Sequence, residues 1–159
     1  MSINSFVFDA PILGHYQTQW QAPSNIALIK YWGKHGQQLP QNPSISFTLS
    51  KCVTNTTVSF SPREEGDKVF DFLFDQKKQV EFHPKIHQFL EQVIPYFPAL
   101  EAHHLSISSQ NSFPHSCGIA SSASAMAALA LCIVDFERQF HSDLSLDAAL
   151  QKASFLARL

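Results

Sequence analysis

The first third of the chain alternates apolar and polar residues with the period of two that half-buried strands show. This pattern predicts four strands, at residues 15–21, 25–32, 44–50 and 54–60. The alternation is strictest in the third of them, where apolar residues share one face and hydroxyl residues share the other. Those apolar residues are Ile45, Phe47 and Leu49. A polar turn is expected between the second and third strands, at 33–43.

Helical spacing becomes common in the second half of the chain. A hairpin formed by 69–74 and 79–82, and a strand at 104–109, are the last predicted strands. Pro84 suits the first position of a helix that Pro95 and Pro98 end. Two further helices are expected at 120–138 and 146–159, the last with Ser145 as its N-cap. Because strands come first and helices later, the order predicts an α+β fold.

Length and composition indicate one domain, residues 1–159, and an apolar content of 45% is enough to bury a core. The net charge of −2 argues against a nucleic-acid-binding surface. The longest apolar run is too short to span a membrane, and the N-terminus shows no signal-peptide pattern. Three scattered cysteines indicate neither a disulfide framework nor a zinc site. A cytoplasmic protein with no membrane partner is therefore expected.

The last helix keeps its apolar pattern up to Leu159, and no Gly, Asn or Pro stops it. We therefore expect the chain to be the N-terminal part of a longer protein. The alternative is a helix that simply ends the protein.

Charged residues are unevenly distributed. Residues 10–63 contain no Asp or Glu, although Lys30, Lys34 and two other basic residues lie there. Residues 102–134 contain no charged residue of either sign. This distribution predicts that the two stretches surround an anion, which a nearby carboxylate would repel. Chance together with a solvated acidic face elsewhere explains the same distribution.

The segment 111–125, NSFPHSCGIASSASA, joins a Pro-containing loop and one glycine to small and hydroxyl residues that enter a helix. The first turn of a helix leaves about four backbone N–H groups unpaired and carries partial positive charge. Small residues would let phosphate oxygens approach this backbone, and the hydroxyls of Ser121 and Ser122 could bind phosphate or Mg²⁺. The segment predicts a phosphate site, although an N-cap serine before a buried Ala-rich helix explains it equally well.

The segment 22–34, APSNIALIKYWGK, places a charge in an unusual position. Lys30 follows Ile26 and Leu28 on the same face of the second predicted strand, with no acid nearby. Lys34 follows four residues later, and two like charges held close are easier to understand if an anion lies between them. Two lysines that extend into solvent at a sheet edge are the alternative.

Three segments occur in the order in which diphosphomevalonate decarboxylases carry them: APSNIALIKYWGK, NPSISFTLS and NSFPHSCGIASSASAMAALA. On these motifs the chain resembles that family, a branch of the GHMP superfamily of small-molecule kinases, from about Gln21 to its end. The resemblance is most specific at NIALIKYWGK. It implies a GHMP N-terminal domain, similar to the second domain of ribosomal protein S5, with a mixed sheet backed by helices.

The resemblance also implies the ligands and the residues that bind them. ATP would contact Asn111, Pro114, His115, Ser116, Cys117, Gly118, Ile119, Ala120, Ser121 and Ser122. Mg²⁺ would contact Ser122. Mevalonate 5-diphosphate would be bound by Tyr31, Trp32, Gly33, Lys34, Ser44 and Ser46, with Asn25 bracing the pocket. Lys30 would be the catalytic residue, near the carboxylate and the 3-hydroxyl of the substrate.

The implied reaction transfers the γ-phosphoryl group of ATP to the 3-hydroxyl, after which phosphate and CO₂ leave and isopentenyl diphosphate remains. Members of the family continue past the last helix into an arginine-containing motif and a second half that supplies an aspartate, so the chain alone is expected to be inactive. Two alternatives stay open: a GHMP-type kinase that phosphorylates a mevalonate-like alcohol without decarboxylation, and a non-catalytic nucleotide-binding module. No nucleic-acid partner is expected, and the resemblance allows a homodimer.

Overall fold

The computed structural model describes residue 7 and residues 14–36, 39–115 and 117–159. Seven strands and three α-helices occur in this part of the chain. The strands are β1 (Tyr16–Ile29), β2 (Lys34–His35), β3 (Leu39–Pro40), β4 (Ile45–Pro62), β5 (Phe70–Phe74), β6 (Lys77–Lys78) and β7 (His103–Asn111). The helices are α1 (His83–Val93), α2 (Ser121–Arg138) and α3 (Leu146–Leu156).

Five of the strands form one mixed sheet in the order β1–β4–β7–β5–β6, and β2 pairs with β3 separately. The β1–β4, β4–β7 and β5–β6 pairs are antiparallel, whereas β5 and β7 are parallel. Helix α2 packs against β1 and β4, and α3 packs against α2. The predicted α+β class, with a mixed sheet backed by helices, is confirmed.

The four strands predicted in the first third are two long strands. The first two predicted strands join in β1, and the third and fourth join in the 18-residue β4. The joins coincide with a shift of register between Pro23 and Ser24, where the pairing moves from Val53 to Leu49. A β-bulge absorbs such a break without ending the strands, and an edge strand tolerates the missing N–H of proline.

The predicted hairpin and turns also differ in detail. The strand that returns after β5 begins at Lys77 rather than at 79, because Asp75 and Gln76 form a tight turn with φ of 47° and 63°. Residues Val80–Phe82 are a 3₁₀ turn. The predicted turn at 33–43 contains the short β2–β3 pair. The last helix ends at Leu156, and Ser145 accepts a hydrogen bond from the backbone N–H of Ala148 as its N-cap.

The core lies between the sheet and the helices and is rich in phenylalanine. The rings of Phe60 on β4 and Phe136 on α2 stack with centroids 4.0 Å apart. Val58, Leu105 and Ile107 extend the apolar inner face of β4 and β7. Towards the start of α2 the buried inward positions change to hydroxyl residues. These are Thr54, Thr56, Ser109 and Ser124. None of the helices in the described ranges has the length and apolar character needed to cross a bilayer.

Beyond the end of β7, strands β1 and β4 continue as a two-stranded arm formed by residues 24–29 and 45–49. In this arm Ile26 pairs with Phe47 and Ile29 pairs with Ile45. All four side chains are exposed. The segment that follows β1 therefore lies beyond the part of the sheet in which β1, β4 and β7 pair.

A buried ion pair joins α2 to α3. The ammonium of Lys152 donates to Oε2 of Glu137 at 2.6 Å, and the two side chains are 1% and 3% exposed. Lys152 also donates to the carbonyl of Tyr96 at 3.4 Å. Burial lowers the pKa of Lys152 and raises the pKa of Glu137, while the contact between them opposes both shifts. The pair ties α3 to α2 and to the turn that follows α1.

We expect Lys152→Met to lower the free energy of unfolding by about 3–5 kcal/mol, because Glu137 would remain buried without its partner. Urea denaturation measures the change. The control is Lys68→Met, which breaks an exposed pair with Asp71 at 3.7 Å and should change the free energy of unfolding by less than about 1 kcal/mol. Equal effects of the two substitutions would contradict the prediction.

Candidate functional site

The first turn of α2 has no side-chain cap. Gly118 has φ of +83°, a left-handed conformation that glycine adopts freely. Ala120 stands at the N-cap position of α2 and makes no side-chain capping bond. Because the first turn of a helix carries partial positive charge and unpaired N–H groups, this end of α2 suits an anion.

A cleft of about 620 Å³ opens beside that first turn. This volume is typical of pockets that bind small molecules. Ser122 lines the cleft from α2, and Tyr31 and Ser44 line it from the segments that flank the β2–β3 pair. The cleft therefore brings residues from the start of α2 together with residues from the segment between β1 and β4.

Three cations from different elements line the same cleft: Lys34 from β2, Lys85 from α1 and Arg158 from the end of α3. None of the described residues that line it is an aspartate or a glutamate. The ammonium of Lys34 also lies 5.8 Å from the centroid of the Tyr31 ring, which is a cation–π contact. Like charges with no aspartate or glutamate among the described lining residues make the cleft attractive to a polyanion.

A narrower cavity of about 60 Å³ also borders the first turn of α2. Its apolar lining includes Phe74 and Phe82, and the His115 ring packs against both, with centroids 5.6 Å and 5.4 Å away. Lys85 and Ser122 line both the cavity and the cleft. The two spaces are therefore adjacent and form one site with an aromatic part and a cationic part.

Buried hydroxyls hold the two strands and α2 together beneath the cavity. Thr54 donates to Oδ1 of Asn111 at 2.8 Å, and its hydroxyl lies 2.7 Å from that of Ser124. Two residues further along β4, the hydroxyl of Thr56 lies 3.0 Å from the hydroxyl of Ser109 on β7. The sequence pattern did not single out Thr54, Thr56 or Ser109 as site residues. The signal was the pair of threonines at 54 and 56, on the strand face that carries the apolar residues Val58 and Phe60 further along.

Asn42 holds the corner that follows β1. Its Oδ1 accepts a hydrogen bond from the backbone N–H of Trp32 at 2.7 Å, and its Nδ2 donates to the carbonyl of Lys30 at 3.3 Å. The backbone N–H of Gln41 donates to the carbonyl of Gly33 at 2.9 Å. These bonds shape the corner that presents Tyr31 and Lys34 to the cleft. Asn42 begins the segment NPSISFTLS, whose sequence pattern predicts no such role for it.

The predicted site residues fall into three groups. The cleft is lined by Tyr31, Lys34, Ser44 and Ser122. The aromatic cavity is lined by Asn111, His115, Ser121 and Ser122. Neither space is lined by Lys30, Trp32, Gly33, Ser46, Pro114, Cys117, Gly118, Ile119 or Ala120. Ser116 lies outside the described residues.

The predicted position of Lys30 on a strand face shared with Ile26 and Leu28 is wrong. Strand β1 ends at Ile29, one residue before Lys30. The register shifts between Ala27 and Ile29, so the alternation that would have aligned the three side chains is interrupted.

A metal ion would depend on few protein ligands at this site. Among the described residues no group of three or more His, Cys, Asp or Glu side chains is placed to hold a metal. The hydroxyl of Ser122 is an oxygen ligand of the kind that Mg²⁺ accepts alongside the oxygens of a bound phosphate.

Comparison with known proteins places these features in context. A model of the diphosphomevalonate decarboxylase-like N-terminal domain matches residues 22–158. The diphosphomevalonate decarboxylase of Aspergillus fumigatus is 33% identical over 152 residues, which cover 87% of this chain and 38% of that protein. The corresponding enzyme of Schizosaccharomyces pombe is 39% identical over 125 residues, covering 71% of this chain and 32% of its own length.

Solved structures show the same similarity. Mevalonate diphosphate decarboxylase from Staphylococcus aureus has a TM-score of 0.70 and 32% identity, covering 91% of this chain and 42% of its own. The enzyme from Enterococcus faecalis has a TM-score of 0.66 and 32% identity, with the same coverage. This chain spans less than half the length of each of these four proteins.

We expect iodoacetamide to label Cys117 in the folded protein and to leave Cys132 unmodified. Cys117 is exposed, whereas burial raises the pKa of the Cys132 thiol to about 12 and so suppresses the reactive thiolate. Mass spectrometry of the labelled peptides measures the outcome, and labelling in urea provides the control in which both cysteines react. Similar labelling rates for the two cysteines in the folded protein would refute the prediction.

Proposed function

Because this chain belongs to the diphosphomevalonate decarboxylase-like N-terminal domain family, we propose that it is the ATP- and substrate-binding part of a decarboxylase of isoprenoid synthesis. The complete enzyme would convert mevalonate 5-diphosphate to isopentenyl diphosphate. The observation that carries this proposal is the cleft in which three cations and the uncapped first turn of α2 meet, with no aspartate or glutamate among the described lining residues.

The two adjacent spaces match the two chemical parts of ATP. An aromatic cavity suits a nucleobase, and the first turn of α2 with Lys85 and Ser122 suits the phosphates. The cavity of about 60 Å³ is smaller than pockets that hold whole ligands. His115 is both exposed and part of the lining, so its side chain would move to admit a base. A related structure contains the ligands abbreviated MVAPP and AMPPCP together with magnesium.

Ser122 is the residue that would hold Mg²⁺ through its hydroxyl, because it lines both the cavity and the cleft. When bound, Mg²⁺ would neutralise part of the phosphate charge. In this chain Lys85 and the N–H groups of the first turn of α2 would hold the phosphates in place. The positions of these groups are set by α1 and α2, so they would stabilise charge without reorganising.

The diphosphate of mevalonate 5-diphosphate would lie against Lys34, with the hydroxyls of Tyr31 and Ser44 beside it. A charge-assisted hydrogen bond from an ammonium to a phosphate oxygen is stronger than a neutral one. Lys30 would approach the carboxylate end of the substrate, although it does not line the cleft in this structure. Trp32, Gly33 and Ser46 would support the same segment.

In the proposed reaction the 3-hydroxyl oxygen bonds to the γ-phosphorus as the bond to ADP breaks. The phosphate then leaves with its C–O bonding pair, and the bond to the carboxylate breaks to release CO₂ and form the double bond. Tertiary hydroxide is a poor leaving group and phosphate is a good one, which is why phosphorylation comes first. The contribution of this chain would be positioning and charge stabilisation.

The 3-hydroxyl must lose a proton, and no aspartate or glutamate side chain stands among the described residues that line the cleft. The chain also spans only 38% of the Aspergillus relative. We therefore propose that residues outside this chain supply the proton acceptor and that the complete enzyme has a second part. We place the protein in the cytoplasm, because an exposed thiol such as Cys117 persists in a reducing compartment. A homodimer stays a prediction.

Lys34→Met should weaken the binding of mevalonate 5-diphosphate by roughly tenfold or more, since it removes a charge-assisted hydrogen bond. Isothermal titration calorimetry measures the affinity. Lys68→Met removes an exposed lysine that does not line the cleft and should leave the affinity unchanged. A flat titration of the unmodified chain with both ATP and mevalonate 5-diphosphate would instead favour a module that binds neither ligand.

The chain alone should form no isopentenyl diphosphate, because no aspartate or glutamate among the described lining residues of the cleft is placed to accept the proton. An assay that follows ADP, CO₂ and isopentenyl diphosphate separately tests this expectation. Release of ADP without CO₂ would favour a kinase of the same superfamily. Sustained formation of isopentenyl diphosphate by the chain alone would show that a second part is not required.

A further inference from the structure

Three polar side chains form a connected group beneath the first turn of α2. Thr54 and Asn111 are directly paired across β4 and β7, and their side chains meet at 2.8 Å. The Thr54 hydroxyl also lies 2.7 Å from the hydroxyl of Ser124. Thr54 is 0% exposed and Ser124 is 2% exposed, so solvent does not satisfy either group.

The number of protons sets the direction of donation in this group. Each hydroxyl has one proton, and Oδ1 of Asn111 can only accept, so the Thr54 proton lies between Thr54 and Asn111. The contact between Thr54 and Ser124 then requires the Ser124 proton. The Ser124 hydroxyl also donates to the carbonyl of Ser121 at 3.0 Å, so its one proton is shared between that carbonyl and the closer Thr54 oxygen. Donation therefore runs from Ser124 to Thr54 to Asn111.

This direction determines what Asn111 offers to a ligand. Its Oδ1 is occupied by Thr54, and its Nδ2 carries two protons for which the described residues provide no acceptor. Asn111 lines the aromatic cavity together with Ser121 and Ser122. With the amide turned the other way, the oxygen would be the free end, and it would repel a phosphate oxygen.

We propose that Thr54, supported by Ser124, is a positioning residue that holds the amide of Asn111 with its N–H groups towards a phosphate oxygen of the nucleotide. This inference rests on the proposed function, since it concerns the same nucleotide site. It adds a residue that is fully buried and does not line the cavity or the cleft.

A purely structural role for Thr54 would lower stability without changing nucleotide affinity, and the chain offers a matched control. Thr18 is also buried, and its hydroxyl donates to the carbonyl of Cys132 at 3.0 Å in the middle of α2. Thr18→Val and Thr54→Val each remove one buried hydroxyl that contacts the same helix. Only Thr54 is connected to Asn111.

The experiment measures the affinity of Mg·ADP by calorimetry and the melting temperature of each variant. Thr54→Val should weaken binding about tenfold, the size of one hydrogen bond to a charged group, and Thr54→Ser should restore it. Thr18→Val should lower the melting temperature and keep the affinity of the unmodified chain. Equal affinities for Thr54→Val and Thr18→Val would overturn the proposal.

Two further measurements cover the other outcomes. If Thr54→Val does not fold, Asn111→Asp keeps an acceptor for Thr54 but places a charged oxygen in the cavity; unchanged Mg·ADP affinity would overturn the proposal. If the unmodified chain binds no Mg·ADP, the proposed function fails, and neutron diffraction of the unliganded chain still tests the amide. Amide deuterons directed away from Thr54 would support the orientation, and deuterons directed towards Thr54 would overturn it.

Discussion

The pairing register of β4 with β7 decides which side chains reach the site. Successive side chains of a strand point to opposite faces, so a shift of one residue moves every inward group outward. In the observed register Thr54 lies opposite Asn111, and Thr56 lies opposite Ser109. Both pairs are hydrogen-bonded through their side chains. The hydrogen-bonded hydroxyls beneath the cavity, the contact between Thr54 and α2, and the orientation of Asn111 all depend on this single register.

Strands β4 and β7 stabilise the fold at one end and support the candidate binding site at the other. At one end Phe60 and Leu105 pack in the apolar core, where burial of large side chains stabilises the fold. At the other end the buried positions are hydroxyls, which would be costly without partners. They bond to one another and to α2, so the cost is offset. The polar end of these strands can therefore support the start of α2, and the loop that leads into it, without weakening the apolar core.

Charge is arranged in two different ways in this fold. Lys152 and Glu137 form a buried pair that ties α3 to α2. The cations around the cleft have no aspartate or glutamate beside them among the described lining residues. The two arrangements are connected, because α3 leads directly to Arg158, which lines the cleft. The buried pair therefore also holds one wall of the cationic cleft in position.

Sequence alone determined the features that depend on neighbouring residues. Periodicity and proline positions located α1 and α2, strand alternation located β7, and the loop before α2 was identified from its glycine and serines. Tertiary structure decided which distant residues meet. Lys85 and Arg158 join Lys34 only because α1, α3 and β2 border one cleft, and Lys30 is left out because a register shift interrupts its strand. Local pattern contains no information about pairing across tens of residues, whereas packing of the sheet and helices sets it.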